Sequence, residues 1–253
     1  MIDSLHAWPY WALGVFILFA YTAEAMTGFG SIVIALSLGA LVLPLDYLQT
    51  ILVPLNICMT GVLTWRHWRR IDWPLLARLI MPLMIVGTLI GYALQPILGS
   101  VPAKLAFALL VLWFALRELR RIARGHVGSP KAGWWNRGII LGAGVTHGLF
   151  ASGGPLLVYG LAGMHLEKAR FRATLIFVWF SLNSLLTILF LRQGILQPLA
   201  LHVLAYLPLI LLGAILGERL HHRVDDALFR LWIHRVLVLA AAALLLPTLF
   251  QLR

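Results

Sequence analysis

From Leu79 to Leu94 the chain carries no charged residue, and its apolar side chains do not alternate with polar ones. A backbone inside hydrocarbon must satisfy its own hydrogen bonds, which only a helix or a closed β-barrel achieves. Barrel strands alternate apolar and polar residues, so this stretch predicts a helix, and about 20 such residues cross a bilayer. Similar runs recur along the 253 residues. Hydrophobic residues make up 61% of the chain and charged residues 11%, against about 25% charged in soluble domains. The expected fold class is all-α, a polytopic helical membrane protein.

Eight apolar segments are read, at roughly 10–43, 47–64, 74–97, 103–117, 138–163, 170–191, 199–217 and 228–250. The distinctly hydrophilic connection, Arg117 to Arg137, contains Gly125, Gly128, Ser129 and Pro130. It divides the chain into a first membrane repeat (1–120), a basic cytoplasmic linker (121–137) and a second membrane repeat (138–253). The halves share more than their segment count. Thr27-Gly28-Phe29-Gly30-Ser31 recurs 124 positions on as Ala151-Ser152-Gly153-Gly154-Pro155, and Thr50 and Pro74 recur as Thr174 and Pro198. At a spacing of 126, Pro82, Gly87 and Gly91 match Pro208, Gly213 and Gly217. The paired glycines have the small-xxx-small spacing that lets helices approach closely.

The net charge of +11 comes from Lys and Arg in short connections, where they orient a chain in the membrane. Nucleic-acid binding is not expected. The clusters are Arg66/Arg69/Arg70 with Arg78; Arg117, Arg120, Arg121, Arg124, Lys131 and Arg137; Lys168/Arg170/Arg172; and Arg219/Arg223/Arg230/Arg235. Eight single crossings would put the last two clusters opposite the first two, against the positive-inside tendency. Segments one and five are therefore expected to enter and return on one side as broken, re-entrant hairpins. Each repeat then has three full crossings, the repeats are inverted, and both termini lie outside. Trp8, Trp11, Trp65, Trp68, Trp73, Trp134 and Trp135 at segment ends read as an interfacial aromatic belt. Cys58 is the sole cysteine, so no intrachain disulfide forms. The N-terminus lacks the basic region and cleavage site of a signal peptide, so the first hydrophobic segment is expected to direct insertion.

Glycine-rich breaks at matching places in two repeats point to a transporter's binding site. At a break, backbone N–H groups lose their helical partners, and glycine allows a sharp turn and close ligand approach. The half-helices restarting near Ser31 and Pro155 are expected to turn positive ends toward an anion. Proline suits a helix's first turn. The expected substrate-binding residues are Thr27, Gly28, Phe29, Gly30, Ser31, Ser152, Gly153, Gly154 and Pro155, with Asn56 and Asn183 lining the pathway or bonding helix to helix. Thr60, Ser181 and Thr187 lie near them.

Ionisable groups within a membrane are costly unless functional or paired. Glu24 precedes the first break, and His147 holds nearly the equivalent place in the second half. Both are candidates for proton coupling, since a carboxylate beside an anion repels it unless protonated. No histidine shows metal-ligand spacing, no cofactor is expected, and His202 is placed near a membrane surface. Ser152 with His147 or His202 would suit an intramembrane serine hydrolase. The position matching Ser152 is Gly28, which favours a symmetric binding site over one-sided catalysis.

These residues resemble those of the TauE/SafE family of bacterial sulfite and organosulfur-anion exporters. The resemblance rests on both glycine motifs, Lys168-Ala169-Arg170 with Thr174, and Asn183, and extends over nearly the whole chain. Phe29 and Ser31 stand where the family often carries a plainer glycine cluster, so a substrate class is implied, not one substrate. The resemblance implies a secondary transporter in the bacterial inner membrane that exports sulfite, thiosulfate or sulfonates. Its partners are a small inorganic or organosulfur anion and membrane lipid, and a homodimer is left open as the assembly. Alternatives are an importer or a channel for a small anion. With a negative interior, expulsion of an anion gains about 2.3 kcal/mol per charge per 100 mV, so proton coupling is not required.

Overall fold

A computed structural model describes residues 8–27, 30–124, 133–161, 164, 167–221 and 226–250. Gly28 and Phe29 of the first glycine motif lie outside the described residues, as do Gly125, Gly128, Ser129, Pro130, Lys131, His222 and Arg223. Every regular element among the described residues is helical. In chain order, α1 is Trp8–Thr27, α2 Ser31–Gly39, α3 Leu45–His67, α4 Trp73–Leu98 and α5 Ser100–Arg124. The second half contains α6 (Gly133–Phe150), α7 (Gly154–Gly160), α8 (Lys168–Arg192), α9 (Ala200–His221) and α10 (Asp226–Phe250).

Among the described residues, five stretches are long and apolar enough to cross a membrane: Leu45–Arg70, Trp73–Leu98, Ser100–Arg124, Ala169–Arg192 and Gln197–Gly217. Within α10 a shorter apolar helix runs Leu231–Leu246. These six are the segments expected to cross fully. Segments one and five are instead each broken into a long and a short helix, α1–α2 and α6–α7. At the far end of the first pair, Gly39 sits against Leu48 and Leu13, the latter near the start of α1. In the second pair, Gly160 sits against Ile139 and Ile140, near the start of α6. Each short helix thus runs back along its long one.

The helices pack chiefly across the two halves. The most extensive pairings are α1 with α9, α4 with α6, α3 with α8, and α5 with α10. The glycine pairs explain two of them. Gly87 and Gly91 of α4 meet the backbone of α6 at Leu141, Gly144, Val145 and Leu149, while Gly144 and Gly148 return the contact. Gly213 and Gly217 of α9 meet Leu18, Thr22 and Ala25 of α1. In each half the small-xxx-small stripe of the third segment holds the other half's broken helix. A π turn at Leu76–Ile80 precedes Pro82 within α4, and such turns absorb a break in helical bonding.

One boundary differs from the sequence reading. Segment four, expected to end at 117, continues as helix to Arg124, and α6 begins at Gly133. Hydropathy marks this stretch as linker, yet Arg, Glu, Leu and Ala are all good helix formers. All seven tryptophans assigned to the belt are exposed. His202 stacks on Tyr10 and meets Tyr47 edge-on.

Candidate functional site

The two breaks meet inside the bundle. Glu24 lies in the last turn of α1, and its Oε2 accepts from the backbone N–H of Ser31 at 3.2 Å. Gly30, between them, has φ +106°, a left-handed conformation that glycine adopts without strain. The carboxylate therefore reaches across the break and caps the first N–H of α2. Asn56, near the middle of α3, donates through Nδ2 to the same Oε2 and to Ser31 Oγ, each at 3.0 Å. Asn183 of α8 donates to Asn56 Oδ1 at 2.7 Å. One chain of hydrogen bonds thus runs from α1 through α3 to α8, joining the halves. Its polar side chains are buried, with Glu24 and Asn183 each 1% exposed.

The second break also pairs a long helix with a short one, with a different turn and different chemistry. Helices α2 and α7 start at Ser31 and Gly154, 123 positions apart. Gly30 and Gly153 precede them, and Glu24 and His147 match at that spacing. Ala151 turns the chain with φ +52°, a left-handed conformation costing an alanine roughly 1–2 kcal/mol. Its N–H bonds His147 O at 2.6 Å. The His147 ring stacks on Trp179 of α8, with centroids 5.8 Å apart. Neither of its ring nitrogens has a hydrogen-bond partner among the described residues, and both are buried. Glu24 Oε1, Asn183 Oδ1 and Trp179 Nε1 share that condition.

Glu24, Gly30, Ser31, Asn56, His147, Ala151, Ser152, Gly154, Trp179 and Asn183 surround one cavity. Nine of the thirteen sequence-selected residues thus line or bridge this region through described contacts, counting Gly153 packed beneath His147. Pro155 is buried in the first turn of α7. Thr27 ends α1, and nothing is described of its side chain. Thr60 and Ser181 bond back to carbonyls of their own helices, at Asn56 and Phe177. The cavity holds about 20 Å³, close to the space for one water. A four-atom oxyanion is larger than that space.

Three contributors were not selected from sequence. Trp179 is one aromatic within an apolar helix and carries no distinguishing signal. Arg172, counted only as an orienting charge, donates to the carbonyl of Ala25 at 2.6 Å. Gln49 donates to the carbonyl of Leu149 at 3.1 Å and accepts from Gln95 at 2.8 Å. Both carbonyls lie in the last turn before a break, where helical partners run out. A long polar side chain in an apolar segment was the available clue for Gln49.

The hydrolase reading finds no Ser152–His147 hydrogen bond, since both imidazole nitrogens lack partners. His202 is occupied with Tyr10 and Tyr47. No group of three or more metal-binding side chains occurs among the described residues. The chain is a multi-pass membrane protein. Neither a curated protein nor a solved structure gives a significant match. The family description "Sulfite exporter TauE/SafE" matches residues 13–244, spanning all ten helices at least in part, and on that match the chain belongs to the sulfite exporter TauE/SafE family.

Proposed function

We propose that this protein is a secondary carrier of the bacterial inner membrane that exports small sulfur-containing oxyanions, such as sulfite, thiosulfate or sulfonates, by alternating access. Family membership supplies the coarser assignment, a membrane exporter of sulfite-like anions. The observation that carries the finer reading is the meeting of two helix breaks, one from each half, around a buried polar cavity. A polar pocket within an apolar bundle is costly to keep unless it serves a ligand.

The two sides of that pocket have separate tasks in this reading. The N–H of Ser31 is already satisfied by Glu24, so the first half presents a carboxylate held in place by Asn56. The second half presents His147, Trp179 and Ser152, whose N–H and O–H groups are donors suited to an oxyanion. The substrate would bind against His147 and Ser152, facing Glu24. Asn56 and Asn183 would set the spacing between α3 and α8. A bound anion would confront the Glu24 carboxylate, so proton uptake there would favour loading, and His147 is the second candidate in that coupling.

The pairing of each broken helix with the other half's third segment supports an arrangement of inverted repeats. Rocking of one repeat against the other would then open the cavity to either side. Reconstitution into liposomes tests the proposal. Sulfite efflux should saturate and show counterflow, and Ser152→Ala should weaken it without abolishing it. Conductance without counterflow would identify a channel instead, and obligatory inward flux an importer.

A further inference from the structure

One face of α5 changes character along its length. Leu109, Trp113 and Leu116 are exposed there, at 51%, 46% and 37%, as expected of helix surface lying against acyl chains. The following turns carry Arg117, Arg120, Arg121 and Arg124. Their i, i+3, i+4 and i+7 spacing places them on one side of the helix. With Trp113 and Leu116 of the same helix, these arginines border an open surface groove of about 420 Å³ along α5. Glu118, the one acid in this stretch, is bonded by Arg121 Nε at 2.8 Å. The Arg117 guanidinium stands 3.8 Å from the ring centroid of Tyr159, in α7, and 6.0 Å from that of Trp113. The groove therefore abuts the hairpin that carries the second break.

Orienting a membrane protein requires basic residues near helix ends, but not their alignment over a groove that continues an apolar stripe. That combination matches an amphiphile with a negative head. We propose that the groove binds an anionic phospholipid, its phosphate among Arg117, Arg120, Arg121 and Arg124 and its acyl chains along Leu109, Trp113 and Leu116. A free anion would use the arginines and leave the apolar stripe unengaged. Clustered Lys and Arg at a membrane surface attract anionic lipid headgroups. The proposal stands independently of the transported substrate.

The test is lipid binding to the purified full-length protein by native mass spectrometry, titrating phosphatidylglycerol against phosphatidylcholine. Phosphatidylglycerol should bind preferentially. The double variant Arg120→Gln/Arg124→Gln, which keeps the Arg117–Tyr159 contact, should weaken it roughly 10- to 30-fold, at about 1 kcal/mol per arginine. The variant Arg66→Gln/Arg69→Gln removes the same charge elsewhere and should leave binding unchanged. Equal loss in both double variants, or no preference between the lipids, overturns the proposal. So does competition by inorganic phosphate or sulfite at concentrations comparable to the lipid, which would make the groove a free-anion site. Retained thermal unfolding of each variant excludes misfolding as the cause.

Discussion

Gly153→Ala is a sharp probe of how the second break is held. A β-carbon at Gly153 would collide with the carbonyl oxygen of Ala143 and lie 2.9 Å from His147 Cβ. Carbon atoms rest at about 3.5–4.0 Å, so the start of α7 must retreat from α6 by about 0.6–1 Å. Neither obstacle is the end of a flexible side chain, and overpacking of this kind costs about 1–3 kcal/mol. At about 2–4 °C per kcal/mol for a chain of this size, the unfolding midpoint should fall by about 2–12 °C. The same shift moves Gly154 and His147 relative to Asn183. Sulfite affinity should therefore fall at least about tenfold, which corresponds to 1.4 kcal/mol. Gly142→Ala is the matched control, because among the described residues nothing lies within 4 Å of its β-carbon position and alanine favours a helix. Thermal unfolding and isothermal calorimetry read both variants. If Gly153→Ala unfolds and binds like the parent, close packing of α7 on α6 does not shape the site.

Three further outcomes are expected. Glu24→Gln should fold, because the amide oxygen can still accept from Ser31 and Asn56, but it should flatten the pH dependence of sulfite flux. An unchanged pH profile would remove Glu24 from proton coupling. Gly91→Ala should lower the unfolding midpoint more than Gly213→Ala. Its β-carbon would collide with Val145 O and lie 2.9 Å from Val145 C, whereas the nearest atom to that of Gly213 is Thr22 N at 3.2 Å. A reporter fused after Arg253 should be active only outside the cytoplasm, and cytoplasmic activity would refute the inverted topology.

The crossing helices were legible because a membrane leaves so few alternatives to an apolar helix. The glycine motifs located both breaks, and charge placement anticipated two helices that turn back. The helix starts at Ser31 and Gly154 lie 123 positions apart, as do Glu24 and His147. What could not be read was which group satisfies which. Sequence gives no sign that Glu24, seven residues upstream, occupies the α2 N–H expected to face substrate. Nor does it signal that Arg172 and Gln49 meet the last carbonyls before the breaks. These contacts depend on how the halves pack, and so on long-range geometry. The extension of α5 through a basic stretch was hidden for another reason, since polarity and helix propensity point in opposite directions there.

The most direct measurement is calorimetric titration of sulfite into the purified protein and into Asn56→Ala. Asn56 donates to Glu24 and Ser31 and accepts from Asn183. Its removal leaves buried polar groups unpaired at about 1–3 kcal/mol and should loosen the α3–α8 spacing around the cavity. Sulfite should bind the parent protein saturably, and at least about tenfold more weakly to a variant that still unfolds cooperatively. Undiminished binding by Asn56→Ala would contradict the site. Failure of sulfite, thiosulfate, sulfate and sulfonates alike to bind, with a cation binding in their place, would contradict anion recognition between the two breaks.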